Sequence, residues 1–152
     1  MSKKSLYSPG VYQETLKRIG QLTSDSQPAW GKMSVGQMLA HCAEAQEVAN
    51  GTKKLEGTPF VAKLFKGFIR KMVVNEKPYP KGTKTHPQYL QSTERDFQRE
   101  KEHLLSALKM FVKMDEAKVA RVEHPLFGRM TREERGWGMY KHLDHHLKQF
   151  GV

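Results

Sequence analysis

The stretch Met33-Ser34-Val35-Gly36-Gln37-Met38-Leu39-Ala40-His41 carries both the start signal of a helix and the beginning of its apolar face. Ser34 followed three residues later by Gln37 forms a capping box, in which each side chain satisfies a backbone N–H that the first helical turn leaves free. Val35, Met38, Leu39, Cys42, Ala45 and Ala49 then fall on one side until Asn50-Gly51 stops the helix. The same device recurs near the end of the chain. Thr131 with Glu134 makes a second capping box, and Gly136, Met139, Tyr140, Leu143, Leu147 and Phe150 form the stripe that follows.

Between and before these two helices the patterns are also helical. Ser8-Pro9 reads as an N-cap with proline at the first helical position, and Val11, Tyr12, Leu16 and Ile19 recur at helical spacing to about Leu22. Thr23 to Trp30 is a loop by its turn formers. Phe60, Val61, Leu64, Phe65, Phe68, Ile69, Met72 and Val73, interleaved with Lys63, Lys66, Arg70 and Lys71, predict one basic amphipathic helix over 60–74. Asn75 to Pro87 is an irregular connection, and Tyr89 to about Val112 reads as a long charged helix through Phe97, Leu104, Leu105, Leu108 and Phe111. Lys113 to Met130 contains the turn His124-Pro125-Leu126-Phe127-Gly128. With no convincing strand or internal repeat, the expectation is an all-α chain: an antiparallel four-helix bundle with an extra amphipathic helix in a long crossover connection.

Length and composition agree with that class. The 152 residues suit one domain, 1–152, large enough to close a core without staples. Hydrophobic residues at 38% and charged residues at 28% exclude a disordered composition. No apolar run approaches the ~20 residues of a membrane span, the N-terminus lacks a secretory apolar stretch, and the cytoplasm is the expected compartment. Cys42 is the single cysteine, which excludes an internal disulfide and a cysteine-based zinc site. The net charge of +10 is concentrated: between Lys53 and Lys84 nine basic residues stand against Glu56 and Glu76. That connection can attract an anionic small molecule, an anionic lipid surface or, without sequence specificity, nucleic acid.

Chemistry enters with the histidines. In His142-Leu143-Asp144-His145-His146-Leu147-Lys148-Gln149 a helix stacks His142 over His146, their β-carbons ~6 Å apart, which lets both imidazoles reach one ion. His41 borders the core of the earlier helix and is the candidate third ligand. Three neutral imidazoles with an open position suit a divalent transition ion such as zinc, nickel, iron or copper in a reactive rather than structural site. Polar residues at a core margin produce the same pattern, so the spacing alone leaves both readings open. Met38, Met139 and Gln149 are candidate lining residues, and Glu44 and Glu47 candidate partners that fix an imidazole tautomer. His145 and Asp144 project elsewhere; His86 and His124 read as turn residues, His103 as a surface residue, and Cys42 as a small hydrophobe.

The string Trp30-x-Lys32-Met33-Ser34-Val35-Gly36-Gln37-Met38-Leu39-Ala40-His41-Cys42, with His124-Pro125-x-Phe127-Gly128 and His142-Leu143-Asp144-His145-His146-Leu147-x-Gln149-Phe150-Gly151, resembles the DinB/YfiT-like superfamily of metal-dependent enzymes, within an uncharacterised bacterial branch. The resemblance runs from about Tyr7 to the end. It implies a four-helix bundle whose metal, commonly nickel or zinc and in principle iron, is held at positions matching His41, His142 and His146. It further implies a small-molecule partner, an anionic low-molecular-weight thiol of the bacillithiol or mycothiol kind, activated for transfer, or a water activated for hydrolysis. A homodimer fits the family habit.

A non-catalytic alternative is a basic helical module binding anionic lipid, nucleic acid or a protein. Against it, residues 60–74 read first as an ordinary helix packing its apolar face inward, so membrane binding is not expected. No recognition-helix, zinc-finger or stacking motif points to specific nucleic acid.

Overall fold

In the computed structural model, which describes residues 3–152, the sequence forms helices where its caps direct them. Helix α1 spans Pro9–Gln21, with Pro9 in the first turn. Helix α2 spans Val35–Asn50 and opens on the Ser34/Gln37 capping box with both reciprocal bonds formed. It closes on Gly51 at φ 75°, the left-handed conformation that glycine adopts without steric cost. After α3 (Phe60–Leu64), α4 (Lys66–Val74) and a single 3-10 turn at Pro87–Tyr89 come α5 (Phe97–Val112), α6 (Glu116–Arg121) and α7 (Arg132–Gln149). Helix α7 opens on the Thr131/Glu134 capping box. No strand is present among the described residues, only an isolated bridge between His124 and Gly128.

Three expectations are corrected. The amphipathic helix over 60–74 is two helices, broken at Phe65, whose φ of −98° and ψ of 19° depart from helical values. Its first half does not pack inward, since α3 has no buried residue. The long helix begins at Phe97 instead of Tyr89, because Asp96 caps it by accepting the Arg99 backbone N–H at 2.7 Å. A further helix, α6, stands between Lys113 and Met130, started by Asp115 accepting the Lys118 N–H. Both aspartates are ordinary N-cap signals in the sequence.

The core joins α1, α2, α5 and α7 through Ile19, Leu39, Leu104, Leu108, Phe111, Leu143 and Leu147, all buried. Helix α2 packs most extensively on α5, while α7 meets α1, α2, α4 and α6. Cys42 belongs to this core, where burial pushes its thiol pKa up and removes it from nucleophilic chemistry. Gly138 sets how closely α4 approaches α7, since a β-carbon there would lie 2.9 Å from Val73 Cγ1. Arg70 of α4 clamps the same pair of helices, donating to both Glu134 oxygens at 3.0 and 2.9 Å. Burial alone would raise the Glu134 pKa, but the Thr131 N–H and the Arg70 guanidinium hold it below the ordinary carboxylate range. One carboxylate thus caps α7 and anchors α4 against it, which fixes the wall of the cavity described next.

Candidate metal centre

Two helices bring three imidazoles to one point. His41 from α2 faces His142 and His146 from α7, with one ligand-capable atom of each residue within 4.8 Å of the others. His41 Nε2 and His142 Nε2 stand 3.1 Å apart. Nitrogens around a tetrahedral ion at Zn–N distances of about 2.0–2.1 Å lie about 3.3 Å from each other, so the spacing suits a shared cation.

Hydrogen bonds behind the rings decide which nitrogens face inward. His41 Nδ1 lies 3.1 Å from the Tyr89 carbonyl, which can only accept; Nδ1 therefore carries the proton and Nε2 the lone pair. His146 Nδ1 lies 2.9 Å from Gln149 Oε1. The Gln149 amide is itself oriented, because its Nε2 donates to the Trp30 carbonyl at 2.7 Å. His146 Nδ1 is thereby the N–H and its Nε2 the free lone pair. The loop that supplies Trp30 reaches this close because Gly31 has φ 82°, and a β-carbon there would sit 2.7 Å from Gln149 Nε2. His142 has no such support: its Nδ1 is buried without a partner.

Burial first, and neighbouring imidazoles second, hold His142 well below the ordinary histidine pKa. Burial likewise lowers His41 and brings His146 down to about 3. All three are neutral near pH 7, the form in which imidazole binds a metal. A buried His142 ring with one nitrogen unpartnered, and two neighbouring rings each locked with one nitrogen free to ligate, make a donor set that fits a divalent transition ion.

The cluster opens on a cavity of about 430 Å³, within the range of small-ligand sites. Helix α7 lines it with Arg135, Gly138, Met139, His142, His145 and His146, one face of the helix over three turns. Ile69, Met72 and Val73 of α4 form an apolar wall.

Several sequence expectations change here. Met139 lines the cavity, but Met38 turns into the core beside Cys42, and Gln149 stands behind His146 instead of lining the cavity. Glu44 and Glu47 orient none of the three ligand candidates. Glu44 pairs with Lys53 and Glu47 with His103, while the Tyr89 carbonyl and Gln149 do the orienting. His145 lines the cavity beside His146 instead of projecting away. His86 and His124 are in turns as expected, each accepting the N–H two residues on through Nδ1, yet both are buried and face the cavity. Sequence reasoning missed Arg135 altogether, although an arginine one residue past a capping glutamate and on the same face as His142 was visible in the α7 pattern.

His124 makes the protein sensitive to acid. Burial and then the nearby Arg135 charge lower its pKa to about 3. An unfolded histidine titrates near 6.5, so as pH falls the unfolded chain takes up this proton first. The stability that neutral His124 contributes is complete above about 6.5 and is lost as pH falls toward about 3. His124→Asn keeps an acceptor for the Leu126 N–H and removes the titration. Denaturant unfolding between pH 6.5 and 4 is expected to show a slope shallower than wild type by up to about 1.4 kcal/mol per pH unit.

Comparison with known families places the chain. A family model described as "Protein of unknown function (DUF1569)" matches residues 2–151. The protein belongs to the DUF1569 family. No curated protein and no solved structure matches it. The candidate ligands, their orienting partners and the cavity all lie within the span that defines this DUF1569 member.

Proposed function

We propose that this DUF1569 protein is a metal-dependent enzyme in which His41, His142 and His146 hold a divalent transition ion. The observation that carries the reading is the inward orientation of the rings, with Tyr89 and Gln149 fixing two of the three tautomers. His41, His142 and His146 would hold a zinc or nickel ion, whose chemistry there would be to lower the pKa of a thiol or water at the open position toward neutrality. The sequence motifs resembling the DinB/YfiT-like superfamily support the same donor set, and in that reading α1, α2, α5 and α7 are the four helices of its bundle. The apolar cavity wall of Ile69, Met72 and Val73 takes the body of a small-molecule substrate and excludes water around the reacting group. Transfer of a low-molecular-weight thiol is the first reaction class; hydrolysis is the second.

Elemental analysis of untagged protein purified without chelator tests the site. Wild type is expected to carry roughly one equivalent of transition metal, or to take it up from zinc or nickel solution, and His146→Ala to carry none. A His146→Ala protein with full metal content removes the ligand assignment. Circular dichroism of both proteins separates metal loss from unfolding.

A further inference from the structure

Helix α3 and the start of α4 carry a stripe of large apolar side chains turned to solvent. Phe60 is 73%, Val61 63%, Leu64 66%, Phe65 56% and Phe68 68% exposed. They follow one another along the segment, Phe60, Val61 and Leu64 in α3, Phe65 at the break and Phe68 in the first turn of α4. Residues scattered singly need no explanation, but a contiguous stripe of this kind marks a surface that meets another apolar phase. Lys63, Lys66 and Lys71 lie exposed within the same two helices, and the ion pairs of this region use Lys53 and Arg70 instead. Exposed Lys54, Lys77 and Lys84 extend the positive field on either side.

We propose that α3 and the start of α4 dock the protein on the surface of an anionic phospholipid bilayer, the apolar stripe entering the headgroup boundary and the lysines engaging lipid phosphates. An in-plane amphipathic segment with lysine on its polar side has this physical character, and each basic residue near an anionic leaflet adds to the attraction. Charge argues against a second copy as the occupant. A two-fold interface would bring the same lysines, which make no ion pair among the described residues, from both subunits together, whereas an anionic leaflet complements them. Aliphatic Val61 and Leu64 within the stripe suit acyl chains, which contact all side chains alike, and not bases, which stack on rings alone. The docking element also continues into the cavity wall: Phe68 faces solvent and the next residue, Ile69, lines the cavity.

Flotation with vesicles of equimolar phosphatidylglycerol and phosphatidylcholine, against pure phosphatidylcholine, tests this on the full chain. Wild type is expected to bind the anionic vesicles at physiological salt and to be released at high salt. Phe60→Ser/Phe68→Ser is expected to weaken binding at least roughly tenfold through lost apolar burial. Lys63→Glu/Lys66→Glu should weaken it to a similar degree through lost attraction. All four positions are exposed, so helicity and metal content should stay at wild-type values; the outcome is thus independent of the metal reading. Wild type left with the unbound fraction overturns the proposal, as does undiminished binding by the phenylalanine variant. A dimer dissolved by the phenylalanine substitutions, or oligonucleotide binding without vesicle binding, would also overturn it, in favour of a second copy or of nucleic acid.

Discussion

Arg135→Ala is expected to cost about 3 kcal/mol of folding stability, the sum of two charge-assisted hydrogen bonds lost from a buried place. Arg135 is 2% exposed and makes no ion pair among the described residues. Its guanidinium donates from Nη1 to the Ala49 carbonyl and from Nη2 to the Val122 carbonyl. Those carbonyls belong to the last turn of α2 and to the residue that ends α6, where helices leave acceptors unpaired and present the negative ends of their dipoles. One side chain of α7 therefore ties down two helix ends that are far apart in sequence. Desolvation opposes this and lowers the Arg135 pKa, and deleting the charge recovers part of that cost. Two orphaned carbonyls and a truncated side chain outweigh the recovery, because neither the Ala49 nor the Val122 carbonyl accepts from another side chain among the described residues, the Thr52 hydroxyl at the end of α2 bonding Glu47 instead. Arg135→Lys should restore less than half of the loss, since a compact ammonium on a flexible stem cannot span both carbonyls as a planar fork does. Urea unfolding of the three proteins at pH 7 makes the comparison. An alanine variant within about 0.5 kcal/mol of wild type would show that the guanidinium does not hold the helix ends together.

What Arg135 does explains why its role was not legible in the sequence while the helix starts were. Ser34/Gln37 and Thr131/Glu134 act over three residues, so local chemistry alone determines them, and both boxes form. Asp96 and Asp115 act over the same range and carried the information needed to start α5 and α6. Arg135 instead bonds to backbone atoms 86 and 13 residues away, and carbonyls have no residue type to recognise. The ligand candidates show the same division. His142 and His146 follow from helical geometry, and His41 from its place beside the core of another helix. The Tyr89 carbonyl that orients His41 comes from a 3-10 turn 48 residues on and leaves no trace in side-chain pattern. For residues 60–68 periodicity established an apolar face correctly, but a period carries no information on whether that face meets protein or solvent. The break at Phe65 and the anchoring of α4 by Arg70 to Glu134 leave α3 outside the core, and both are properties of the folded chain.

Gln149→Leu is expected to weaken metal binding by roughly 10- to 100-fold while leaving all three candidate ligands in place. Leucine has similar bulk, so packing against the 29–31 loop is largely kept, but the polar connection from the Trp30 carbonyl through Gln149 to His146 is cut. His146 then loses the acceptor that holds its proton on Nδ1. Its two tautomers become closer in energy, and in one of them the proton occupies the nitrogen that should carry the ligand lone pair. Removing the acceptor also lowers the basicity of the ring, since the hydrogen bond to Gln149 raises the His146 pKa against the effect of burial. Gln149→Glu separates the two contributions. A carboxylate still accepts from His146 Nδ1 and strengthens the ring as a donor, but it cannot donate to the Trp30 carbonyl and meets it with two acceptors face to face. Zinc titration against a competing chelator should rank wild type above Gln149→Leu, with Gln149→Glu closer to wild type in affinity and less stable toward urea. Equal affinity in Gln149→Leu and wild type would mean that His146 does not use its Nε2 lone pair for the ion, and the assignment of the inward-facing nitrogens would have to be abandoned.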